Sequence, residues 1–103
     1  MTIRYTVKAA SSTTLTSSPN PSQPGQTVTY LARVSGAGPA RPTGAVTFAD
    51  GGTPIGTVAL FPDGVALLTQ TYAGAGRHTV TATYAGDRDY EGSASAVLTQ
   101  TVQ

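Results

Sequence analysis

The residues from Ala73 to Tyr90 read AGAGRHTVTATYAGDRDY and constrain the chain more than any other stretch. His78, Val80, Ala82 and Tyr84 fall on one side, and Arg77, Thr79, Thr81 and Thr83 on the other. Alternation with a period of two describes a strand with one face in a core and the other in water. Threonine suits the wet face, because its branched side chain fits the pleat while its hydroxyl stays solvated. Gly74 and Gly76 open the stretch and Gly86 closes it, where the backbone must turn.

The rest of the chain repeats this design in shorter units. Thr2 to Ala10 alternates Ile3, Tyr5 and Val7 against Arg4, Thr6 and Lys8, and reads as an extended arm or an extra strand. Ser11 to Ser18 is a polar strand with Leu15 as its core contact. Three prolines between Pro19 and Pro24 then forbid regular structure, since each removes a donor and fixes φ. Gln26 to Ser35 turns Val28, Tyr30, Ala32 and Val34 inward, and Gly36 to Pro42 is a loop whose tip, with Arg41, is placed to make contacts.

Thr43 to Ala49 puts Val46 and Phe48 inward, and Asp50-Gly51-Gly52 turns the chain into Pro54 to Phe61, with Ile55, Val58 and Leu60 as apolar surface. Phe61-Pro62-Asp63-Gly64 has the chemistry of a hairpin turn: proline presets φ, aspartate accepts a local bond and glycine takes positive φ. Gly64 to Tyr72 is expected to pair back on the preceding strand, with Ala66, Leu68 and Tyr72 inward. Val65 and Leu67 leave its phase open. A last strand from Ser93 to Val102 is anchored by Leu98 and Val102. Seven short strands separated by Gly, Pro and Asp turns, with no helical period, predict an all-β antiparallel sandwich.

Composition excludes several functions. At 103 residues the chain suffices for one modest core. A net charge of +1 supplies no field for nucleic acid or an anionic membrane surface. With no cysteine there is no disulfide, thiolate nucleophile or thiolate metal site. No apolar run approaches the length of a membrane span, and the opening MTIRYTVKAA alternates instead of forming the basic and apolar regions of a secretory signal.

Four blocks in order, TTLTSSPNPSQPGQTVTY, PTGAVTFADGGTPIGTVAL, AGAGRHTVTATYAGDRDY and SASAVLTQTV, resemble the bacterial immunoglobulin-like repeat domain. That family occurs in tandem arrays on bacterial surfaces and in some phage structural proteins. The resemblance implies a seven-stranded Ig-like sandwich with Greek-key connections over residues 12–103; the arm or extra strand over residues 1–11 lies outside it. The resemblance implies no catalysis. Ala32 and Val80 would occupy the positions of the inter-sheet cystine, and His78 that of the corner tyrosine. Phe48 and Tyr84 would serve the core.

Chemistry is sparse. His78 is the only histidine, and the carboxylates nearest to it in sequence, Asp87 and Asp89, lie at the far end of its strand. A triad needs a nucleophile and an orienting carboxylate converging on the imidazole, so His78 is expected instead to hydrogen-bond a backbone carbonyl of the preceding turn. Asp87, Asp89 and Glu91 are too few for a calcium loop, and Arg88 stands among them. Asp87 is expected to cap the turn after Gly86 through backbone N–H groups while Tyr90 folds over the sandwich end. Neither glycine pair has the strand-to-helix setting of a phosphate loop. Lys8 and Asn20, the only lysine and asparagine, offer no basis for an internal amide cross-link.

The expectation is therefore a non-catalytic structural module with no cofactor and no metal, displayed on a virion or an extracellular cell surface. Absence of a signal in a chain opening at Met1 favours a phage capsid or tail decoration protein, with Ile3, Tyr5, Val7 and Arg41 on the partner. The alternative is one repeat of an adhesin or spacer array whose partners are neighbouring Ig-like repeats. A carbohydrate module that binds surface glycans would need several of Tyr5, Tyr30, Tyr72, Tyr84 and Tyr90 exposed on one face, whereas Tyr30 and Tyr84 are expected in the core.

Overall fold

A computed structural model describes residues 8–38 and 41–103. Ile3, Tyr5 and Val7 lie outside the described residues. The strands are β1 (Ser11–Ser18), β2 (Thr27–Gly36), β3 (Ala45–Asp50), β4 (Thr53–Ala59), β5 (Val65–Thr71), β6 (Gly76–Tyr84), β7 (Ser93–Ala94) and β8 (Leu98–Val102). One sheet has the order β1-β2-β5. The other has the order β4-β3-β6, with β7 and β8 both paired to the far side of β6. All these strand pairs are antiparallel.

The two sheets bury their alternating faces against each other. From the first come Val28, Tyr30, Ala32, Val34 and Ala66; from the second come Val46, Phe48, Val80, Ala82 and Tyr84. Leu15, Ile55, Val58, Leu60, Leu68 and Leu98 are half-buried around this core. Gly51 and Gly52 adopt φ of 57° and 86°, the mirror-image turn that a two-residue hairpin between β3 and β4 requires.

Three features differ from the sequence reading. The stretch after Gly64 does not pair back on β4. β5 crosses to the other sheet and pairs with β2 from Thr71 opposite Thr27 to Val65 opposite Arg33. The turn itself forms, with Gly64 N–H on Phe61 O at 2.8 Å, but the next carbonyl, Gly64 O, takes Val34 N–H at 2.8 Å and ties the chain to the opposite sheet. In β5, Ala66 is inward and Leu67 is 41% exposed. The last strand is broken in two, giving eight strands. Ser95 bonds Ala82 through both its N–H and its hydroxyl, at 2.8 and 3.0 Å, which detaches the chain from the ladder between β7 and β8.

The third difference is Gln100, which is fully buried in β8. Its amide is satisfied throughout: Oε1 accepts the Ser17 hydroxyl at 2.6 Å, and Nε2 donates to Pro19 O at 2.8 Å and Ser22 Oγ at 3.2 Å. A buried amide with every group paired closes one side of the sandwich without cost from unmet polar atoms.

Candidate functional site

The chain comes in at one pole and leaves at the other. Ser11 pairs with Gly36, and its hydroxyl reaches Ser93 beside Tyr84, so these mark the N-terminal pole. Val102 pairs with Gly76 at the opposite, C-terminal pole.

At the N-terminal pole Asp87 organises the loop after Gly86, whose φ is 90°. One carboxylate oxygen accepts the N–H groups of Asp89 and Tyr90, both at 2.7 Å, and the other accepts the Thr43 N–H at 2.8 Å and hydroxyl at 2.9 Å. The Thr43 backbone bond, with the other donors, lowers the Asp87 pKa to about 2. Tyr90 is fully buried and its hydroxyl donates to Gly38 O at 2.7 Å. Gly36 leaves room for that ring, because a Cβ there would land on it. Tyr84 donates to Thr43 O at 2.6 Å, and burial pushes its phenol up to about 12. Ala9 joins the cluster by a parallel bridge to Tyr90, with Ala9 N–H on Asp89 O and Glu91 N–H on Ala9 O, each at 2.9 Å.

Arg41 stands at the same pole. It borders a shallow hollow of about 320 Å³ lined with Pro42, Pro62, Asp63 and Gly64, and donates to Pro62 O at 3.4 Å.

At the C-terminal pole His78 does not bond a carbonyl of the preceding turn. Its Nδ1 lies 2.8 Å from Asp50 Oδ2, an oxygen supplied by the end of β3. Its ring stacks on Tyr72 with centroids 3.9 Å apart, and the Tyr72 hydroxyl lies 2.7 Å from that of Tyr30. Burial raises the pKa of Tyr30 and of Tyr72 above the usual phenol value. The chain of contacts Tyr30–Tyr72–His78–Asp50 links the two sheets. Asp50 is remote from His78 along the chain, and it is β3 that brings this carboxylate to the imidazole across the sheet.

Ala32 and Val80 lie on the inward faces of opposite sheets, both wholly buried, and Phe48 and Tyr84, both from the second sheet, are buried in the same core. Tyr30, Tyr84 and Tyr90 are buried and Tyr72 is half-buried, so a sugar-stacking strip of exposed tyrosines is not formed among the described residues. Among these residues no group of three or more histidine, cysteine or acidic side chains is arranged to hold a metal ion.

The family model described as bacterial Ig-like domain (group 3) matches residues 15–103. The chain belongs to that family. Among solved structures, this Ig-like domain is similar to the fibronectin(III)-like modules of Clostridium thermocellum CbhA, with 22% identity and a TM-score of 0.62. The match covers 86% of this chain and 45% of that chain. It bears on the fold alone, and supports the Ig-like sandwich. Among curated proteins no sequence matches. Membership in the family makes the domain a structural and interaction module, of a kind that is typically non-catalytic.

Proposed function

We propose that this domain is a link that joins its neighbours end to end in an assembly displayed on a bacterial or virion surface. The observation that carries this reading is that the chain enters and leaves at opposite poles, each held by a parallel backbone bridge. At the N-terminal pole the bridge is Ala9 with Tyr90. At the C-terminal pole it is Ser22 with Val102, where Ser22 N–H meets Thr101 O at 2.9 Å and Gln103 N–H meets Ser22 O at 2.8 Å. Tension applied through the two ends runs along the strands, so these bonds must break together in shear.

Attachment in a force-spectroscopy experiment tests the reading. Pulling through the two ends is expected to give one cooperative rupture at higher force than pulling between the tip of the β3–β4 hairpin at Gly51 and the C-terminus. Equal or lower force through the ends would rule out the linking role. Decoration of a phage capsid or tail is a second reading, favoured by the hollow beside Arg41. The two part on geometry: a link engages both poles, whereas a decoration protein docks one and leaves the other in solvent.

A further inference from the structure

We propose that the open edge of β5 is a self-association surface through which two copies of this domain pair, β5 against β5, about a two-fold axis. This is independent of the end-to-end reading, since it uses the flank of the sandwich and neither pole.

The direction of the β5 backbone follows from bonds at its two ends. Gly64 O accepts Val34 N–H and Tyr72 O accepts Gly25 N–H, both on the β2 side. Val65 O points the other way and accepts Phe61 N–H at 2.8 Å. In an antiparallel ladder the N–H and C=O of one residue point the same way and alternate along the strand. Even-numbered residues therefore face β2, and Leu67, Thr69 and Thr71 turn both backbone groups outward. Among the described residues no strand pairs with that side.

The edges at β4 and β8 are guarded. β4 carries Pro54 and a register shift opposite Phe48 and Ala49. β8 is covered by Asn20, whose amide donates to Thr99 O at 2.9 Å and accepts Thr101 N–H at 3.2 Å, and by Ser22 beside it. β1, reading SSTTLTSS, has no proline and no charge and pairs on one side, but among the described residues it exposes no large apolar side chain. β5, reading VALLTQT, has no proline and no charge. Natural edge strands avoid pairing by such devices, and one without them is a template for another strand. Two of the large apolar side chains exposed among the described residues, Phe61 at 50% and Leu67 at 41%, lie along this edge.

The edge is complementary to itself. A two-fold through Thr69 sets Thr69 against Thr69 of the second copy and Leu67 against Thr71, and every outward N–H and C=O of these residues meets a partner. A threonine pair across strands is favourable, and no like charges are brought together. The register also carries Ala73 and Gly74 of the second copy toward Phe61. With a net charge of +1, long-range repulsion between copies is slight.

The test is the solution mass of the full chain by sedimentation, up to about 1 mM because a strand-edge contact is small and weak. A concentration-dependent dimer is expected. Leu67→Lys and Thr69→Pro are each expected to raise its dissociation constant by at least about tenfold. Proline at 69 removes an N–H that faces away from β2, so the monomer keeps its ladder. If Thr69→Pro nevertheless fails to fold, Leu67→Lys decides the matter. Val97→Lys, on an exposed apolar residue between β7 and β8, is expected to leave the dimer intact, as is removal of residues 1–7. A chain monomeric throughout the range, a dimer indifferent to Leu67→Lys, or one lost with residues 1–7 would overturn the proposal.

Discussion

Asp87 shows how much of one pole hangs on a single carboxylate, since it joins the loop after β6 to Thr43 before β3. Its role is legible in sequence because an aspartate two and three residues ahead of its N–H donors is local chemistry. Asp50 beside His78 is not legible in that way, because the partner arrives through strand pairing. Gln100 sits between: the phase that places Leu98 and Val102 inward also places residue 100 inward, and only its polar type argues against burial. The lowered pKa of Asp87 makes a prediction about acid. A group whose pKa is depressed on folding stabilises the fold above its unfolded value and loses that contribution as pH falls. The melting temperature of Asp87→Asn is expected to lie below that of the parent at neutral pH. Thermal melts across the acid range should show the gap closing between about pH 4 and about pH 2. A gap that stays constant through this range would mean the carboxylate charge is irrelevant to the turn.

At the scale of elements, alternation gives the inward face of nearly every strand, yet it cannot name a strand's neighbour. β5 demonstrates the limit. Phe61-Pro62-Asp63-Gly64 makes the tight turn its residues suggest, but whether the next strand continues in the same sheet depends on which sheet has an edge within reach. Here β2 offers one, and Gly64 O is taken by Val34. The break between β7 and β8 was hidden for a similar reason, because Ser95 reads as an ordinary wet-face residue until its hydroxyl is seen on Ala82 N–H. The proline segment acts as an element in its own right, covering β8 with the Asn20 amide in place of a strand. Asn20→Ala is expected to cost about 1 kcal/mol in urea denaturation, the scale of exposed side-chain to backbone bonds. It should also raise amide exchange at Thr101 selectively. Uniform acceleration across β6 and β8 would instead indicate general loosening, with no edge-covering role for Asn20.

Across the whole molecule, tyrosine hydroxyls and packing do the cross-linking in a chain that has no cystine. Tyr84 and Tyr90 tie the N-terminal pole through Thr43 and Gly38, while Tyr30 and Tyr72 lead through His78 to Asp50 at the other. Each of these phenols is useful only while protonated, and burial favours that form in Tyr30, Tyr72 and Tyr84. Their pKa values are raised on folding, so their contribution is complete below the unfolded phenol value near pH 10 and is lost as pH rises beyond it. For Tyr84 the loss runs from about pH 10 through about pH 12. Stability against urea should therefore fall steeply in that range although acidic and neutral pH leave the phenols untouched. Tyrosinate absorbance is expected to rise together with loss of near-ultraviolet circular dichroism, because a buried phenol that ionises takes the packing with it. Tyr84→Phe should flatten the upper part of the pH dependence, since the ring stays and the ionisable group goes. Full ionisation of every tyrosine with the sandwich intact would show that these hydroxyls are bystanders and that apolar packing alone joins the sheets.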